Sequence, residues 1–160
     1  MKKKYELTDA KIDIFGHILH RIEACRSFSN IRAGDLGGYI ESEANLSHVG
    51  NCWVSGNARV FSKACVFENA QISGKACVFE NAQISGNAWV YGTARVFGNA
   101  WVYEGAGVYG DAWVCGSALV SGTAWIRGDS RLDSGIWNQV IKINDKRYLI
   151  STTLQKKIME

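Results

Sequence analysis

Three histidines, five cysteines and a recurring pair of glutamates are the side chains in this sequence best equipped for acid–base, nucleophilic or metal chemistry. Cys25, Cys52, Cys65, Cys77 and Cys115 are an odd set with no Cys-x-x-Cys pair, so they read as reduced thiols and not as a disulfide framework or a zinc site. His17 and His20 fall together near the start of the chain and His48 stands alone; a lone loop His could serve as a general base only inside a cleft. The Gly-rich stretches lack the Gly-Lys-Ser/Thr that completes a phosphate-binding loop. No catalytic residue, metal or cofactor is therefore expected. The residues that do recur at regular spacing are aromatic and cationic, which is binding chemistry.

The elements that must position them follow from a six-residue repeat. Aliphatic residues stand at Val54, Val60, Val66, Ile72, Val78, Ile84, Val90, Val96, Val102, Val108, Val114, Val120, Ile126 and Leu132 without a slip in register. Two places before each stands a small residue, Ala at most units, with Cys52 first and Ser130 last. In an extended strand residues two apart share a side, so the Ala and the Val of Ala-x-Val-x-Gly-Asn face inward together and both x positions face out. Gly accepts positive φ and Asn tolerates it, which suits a corner at the end of each unit. The stretch 64–74, ACVFENAQISG, recurs as 76–86, pointing to internal duplication. A helix is excluded, because period six scatters the aliphatic residues around its circumference. The chain contains no Pro, where roughly 5% is usual, consistent with a backbone hydrogen-bonded through most of its length.

On these residues the sequence resembles the left-handed parallel β-helix hexapeptide-repeat family, in which three hexapeptides make one triangular coil. The expected fold is all-β. Residues 1–45 form a capping segment, 46–135 the β-helix and 136–160 a C-terminal cap. Adding the imperfect unit at Ala44-Asn45-Leu46, set off by a two-residue insertion within 47–51, gives about five coils, each roughly 4.8 Å above the last. Within the caps, Tyr5-Glu6-Leu7 and 17–25 read as strands and 32–41 as turn-rich. The C-terminal cap reads as a hairpin over 136–150, turning at Asn144-Asp145-Lys146, with a short helix at 154–159. Lys4 to Thr8, 34–41 and Asn45-Leu46-Ser47 further resemble phage and prophage proteins that place such a cap ahead of Val-Tyr-Gly-Asn-Ala repeats; that resemblance implies a viral accessory protein and no established activity.

Residues eighteen apart then stack into columns. Phe61, Phe79 and Phe97 make a ladder continued by Cys115 and Asp133, beside Arg59, Cys77, Arg95, Trp113 and Arg131. Arginine with aromatic residues is the composition of protein-binding hot spots, so Phe61, Phe79, Phe97, Arg59, Arg95, Trp113 and Arg131 are the expected partner-binding residues. A second face carries Trp53, Gln71, Trp89, Gly107 and Trp125, and a third Cys65, Gln83, Trp101 and Leu119. Burial of such columns in a homo-oligomer is a further expectation. Glu68 and Glu80 fall on different faces, which disqualifies them as a carboxylate pair.

Charge narrows the partners. Residues 1–46 hold seven basic and seven acidic side chains, 47–135 six of each, and 136–160 five basic against two acidic. The repeats offer no basic groove, so a nucleic acid is not expected. No apolar run approaches the ~18 residues that span a bilayer, and no apolar stretch follows the N-terminal lysines, so the expectation is a protein of the bacterial host cytoplasm with no membrane partner. Taken with the phage resemblance, the expected function is non-enzymatic: steric blocking of a host protein, with a CRISPR-like immune component as the target class. The alternatives are a trimeric acyltransferase of the hexapeptide family using His48 as base, and a phage structural or scaffold protein.

Overall fold

The computed structural model describes residues 2–139, which are all-β apart from one 3-10 turn at Glu43–Asn45. The chain opens with an antiparallel hairpin, β1 (Tyr5–Ile14) and β2 (His17–Ala24), joined by Phe15 and Gly16 at φ 51° and 88°. Strand β3 (Leu36–Ile40) pairs antiparallel with β2 on one edge and parallel with Arg59–Val60 on the other. It is both the last strand of the cap and the first rung of a stack of parallel coils.

Beyond β3 each hexapeptide contributes a two-residue rung, and every third rung lies in register above the last. The first face runs β3, Arg59–Val60, Cys77–Val78, Arg95–Val96, Trp113–Val114 and Arg131–Leu132. The second runs Trp53–Val54, Gln71–Ile72, Trp89–Val90, Gly107–Val108 and Trp125–Ile126, and the third Cys65–Val66, Gln83–Ile84, Trp101–Val102, Leu119–Val120 and Ile136–Trp137. The result is a β-solenoid of about six turns. Its core is the inward pair of each unit, illustrated by Ala94 and Val96, both fully buried. The backbone is tied along the stack, with Arg95 N–H donating to Ala112 O at 2.9 Å and Phe97 N–H to Val114 O at 3.0 Å. A Pro at any such position would remove a rung bond.

The rungs beyond the five turns read from the repeats are β3 at one end of the stack and Ile136–Trp137 at the other. Ile40 pairs with Val60 and Leu46 with Val66, whereas Val54 pairs with Ile72, so the register falls from 20 to 18 across the insertion between Leu46 and Trp53. Gly38 fills the slot that Ala holds elsewhere because a Cβ there would stand 2.6 Å from Ala58 O. Close packing of β3 on the chain at Val54, Ser55 and Ala58 thus erased the Ala-x-Val signature.

Corners need positive φ, and glycine meets that need at most of them; Gly98 has φ 67°, and a Cβ on it would stand 2.7 Å from Gly116 N. Four corners instead carry Ser62, Glu68, Glu80 and Glu104. Glu68 and Glu80 accept the corner N–H one turn on, from Gly86 at 2.5 Å and Gly98 at 2.7 Å, which offsets the strain of a left-handed side chain. The duplicated glutamates are brackets between coils.

The second face starts outward like its neighbours, yet Trp53 is buried under the cap, edge-on to Phe28 at 5.4 Å and Tyr5 at 6.3 Å. At the other end the stack continues past residue 135, since Ile136–Trp137 pairs in parallel with Leu119–Val120. The rest of the expected C-terminal hairpin and the helix at 154–159 lie outside the described residues. Among the described residues no helix is long and apolar enough to cross a membrane.

Candidate partner-binding face

The first face brings together the residues singled out by spacing. Phe61, Phe79 and Phe97 stack nearly parallel, with centroids 5.2 and 4.9 Å apart. Phe97 meets Trp113 edge-on at 5.8 Å, joining the ladder to the neighbouring column. In that column Trp113 lies between two guanidinium groups, Arg131 at 3.8 Å and Arg95 at 5.1 Å from the ring centroid. Such contacts hold two long side chains in place without a carboxylate. Arg59 and Arg95 flank Cys77; burial pushes its thiol up, against the opposing pull of both cations.

Two features of this face were not legible from spacing. Phe61 is only 7% exposed, because His17 of β2 packs on its ring at 5.1 Å, so the accessible ladder begins at Phe79. The cationic column also extends upward into the cap, where Tyr39 of β3 pairs with Arg59 and carries Arg21 at 4.8 Å over its ring. The hairpin tip overhangs the face and leaves a groove of ≈ 370 Å³ lined by Phe15, His17, Phe61, Phe79, Arg59 and Arg95, among others. Phe15 is 99% exposed at a φ that bulky residues avoid.

The histidines are engaged in the cap. His48 Nδ1 accepts the Lys4 N–H at 3.2 Å, its ring stacks on Tyr5 at 4.2 Å, and Nε2 is shut off from solvent, 3.6 Å from a Glu43 carboxylate oxygen. The other Glu43 oxygen meets Lys3 Nζ at 2.7 Å, and that contact, with smaller help from His48, holds the carboxylate below its ordinary range against a modest opposing effect of burial. His20 Nδ1 donates to Thr8 O at 3.0 Å. His17 Nδ1 meets Glu41 Oε1 at 3.0 Å while Ser62 N–H donates to Glu41 Oε2 at 2.6 Å. Burial would raise the Glu41 pKa, but the His17 and Ser62 bonds together hold it below the ordinary range. A His–carboxylate pair of this kind can orient a base, but no hydroxyl or thiol hydrogen-bonds His17 among the described residues. Among those residues no three His, Cys, Asp or Glu side chains gather as a metal site would require.

Deeper in the cap, Lys4 is fully buried, with Nζ 2.7 Å from Cys52 O and 3.2 Å from Cys52 Sγ; burial lowers its pKa and raises that of Cys52. The second face carries its own cluster, Tyr91 stacked on Tyr109 at 5.0 Å, with Trp89 and Trp125 edge-on to them. Trp125 folds over Gly107, whose missing side chain makes room for the indole.

In comparison with known proteins, residues 82–96 match the family model described as YdcK Beta solenoid repeat. The segment spans the rungs Gln83–Ile84, Trp89–Val90 and Arg95–Val96, about one turn of the stack. No curated protein matches the chain. Fold and match agree on a β-solenoid repeat architecture.

Proposed function

We propose that this protein is a non-enzymatic binding module that docks its first face on a host protein and blocks it sterically. The observation that carries the proposal is the Arg95–Trp113–Arg131 stack beside the Phe79–Phe97 ladder, a preorganised aromatic and cationic surface on a rigid sheet. A surface already ordered loses little conformational entropy on docking. The resemblance to phage and prophage proteins directs the search to bacterial targets, with immune effectors first, and the Ala-x-Val hexapeptide supports left-handed winding of the coils. The acyltransferase alternative draws no support from His48, whose two ring nitrogens face the Lys4 N–H and Glu43.

The test is affinity capture from host lysate with tagged protein beside an Arg95→Glu/Arg131→Glu variant, both positions being exposed. One stoichiometric host protein captured by the wild type and lost in the variant is the expected result. Absence of any partner for either form overturns the proposal. A second reading, self-association, is favoured by exposed Trp89 and Trp125 on the second face and Trp101 on the third; sedimentation of the purified chain reads it directly.

A further inference from the structure

The arginines of the first face have a spacing that selects their partner. Arg59, Arg95 and Arg131 occupy every second rung of one in-register column. With rungs about 4.8 Å apart, successive guanidinium stems stand about 9.6 Å apart along the stack. Between them lie Cys77, a small side chain that leaves a gap, and Trp113, which braces Arg95 and Arg131. The ion pairs among the described residues, Lys3–Glu43, His17–Glu41 and His48–Glu43, involve none of these arginines. Glu80, on the rim of the groove, is occupied by the Gly98 N–H, and Asp133, beside Arg131, lies beyond ion-pair distance of it. Three cations without carboxylate partners among the described residues therefore line one side of an apolar ladder.

An extended peptide fits this ruler poorly, because residues two apart on one side repeat at about 6.7 Å. An α-helix fits it well: residues seven apart lie on one face and repeat at about 10.5 Å, within about 1 Å of the arginine spacing at each step. The positions between them, three and four residues on, fall at the level of Cys77, where they meet Phe79, and at the level of Trp113, whose ring meets Phe97 edge-on. The overhanging hairpin tip supplies a lateral wall through Phe15, whose positive φ is the one a two-residue hairpin turn requires and whose ring stands in solvent at the edge of the groove.

We infer that the first face is a receptor for an acidic amphipathic α-helix of a partner protein, lying along the solenoid axis with carboxylates at heptad spacing on Arg59, Arg95 and Arg131 and apolar residues on Phe79 and Phe97. This rests on the docking face proposed above and adds the chemistry of its occupant. Helix-in-groove recognition by periodic anchors is a general mode of peptide binding.

The test uses the full chain and a fluorescein-labelled stapled helix of about 18 residues, with glutamates seven apart and leucines at the positions between them on the same face. Two control helices have the same composition with the glutamates redistributed around the helix, or lysine in place of glutamate. Anisotropy titration is expected to show binding of the heptad helix alone, weakening with salt, and at least about tenfold loss for Arg59→Gln/Arg95→Gln and for Phe15→Ser. Circular dichroism and unfolding midpoints confirm that the variants are folded. Equal binding of the redistributed helix, unchanged affinity in the arginine variant, or tighter binding of a labelled single-stranded oligonucleotide overturns the inference. If the helix fails while lysate capture through Arg95 and Arg131 succeeds, the docking face stands and its occupant is of another kind. If the helix binds while the lysate yields no partner, the occupant chemistry stands and host blocking does not.

Discussion

The guanidinium of Arg131 lies 3.8 Å from the ring centroid of Trp113, and the same ring holds Arg95 from the other side at 5.1 Å. One indole thereby orders two cations two coils apart. Replacing it with Trp113→Ala leaves both arginines in the sequence but frees their side chains. Partner affinity is expected to drop about tenfold while the chain stays folded, as read by titration with the captured partner and by circular dichroism. An unchanged affinity would show that the bracing is incidental.

The cap meets the stack closely at Gly37, where a Cβ would lie 2.5 Å from Ile22 Cγ1, 2.6 Å from Val54 O and 2.7 Å from Trp53 Cζ2. Gly37→Ala should cost about 1–3 kcal/mol in urea unfolding, through overpacking on three sides. Gly128→Ala, at φ 64° with open space around it, isolates the backbone effect and should cost about 1 kcal/mol. A larger loss at Gly128 than at Gly37 would contradict the packing account.

Much of this was readable from the repeat. Ala and Val at fixed hexad positions fix which side chains are inside, and one interior slot per rung fixes the stacking period. The insertion between Leu46 and Trp53 could be placed because everything after it keeps step. What escaped the sequence was the junction with the cap: Gly38 replaces the expected Ala, Trp53 and Phe61 are outward positions covered by residues from distant strands, and His17 reaches Glu41 across 24 residues. Those contacts depend on how a non-repetitive hairpin lands on the stack, which no period encodes. The pairing of Arg21 with Tyr39 was hidden for the same reason.

Within the coils, Ile84 is fully buried and Gln83 beside it faces out. Ile84→Ala should destabilise by about 2–5 kcal/mol, whereas Gln83→Ala should change stability by less than about 0.5 kcal/mol. Denaturant midpoints of the two variants check the inward–outward assignment; comparable effects would contradict it.

Acid should loosen the cap before the repeats. Glu41 and Glu43 both titrate below their ordinary value of 4.5, so near that pH the folded chain binds fewer protons than the unfolded one. Their contribution is complete above the ordinary value and is lost as pH falls through the lower folded values. The unfolding midpoint should therefore decline as pH drops below about 4.5, and a Glu41→Gln/Glu43→Gln variant should show a flatter profile. An identical pH profile for wild type and variant would be the contrary result.

His48 anchors the N-terminal strand through its Nδ1 bond to the Lys4 N–H and its stack on Tyr5. His48→Ala is expected to cost about 1–2 kcal/mol of stability and to leave partner capture intact. A turnover with an acyl donor that disappears in this variant would instead favour the enzymatic alternative.

The most direct test of the central claim is hydroxyl-radical footprinting of the protein alone and in complex with its captured partner. Modification of Trp113, Phe79 and Phe97 should fall on binding, while the exposed Trp89 and Trp125 of the second face stay as reactive as in the free chain. Protection of Trp89 and Trp125 with Trp113 unchanged would place the partner on the other face and contradict the account.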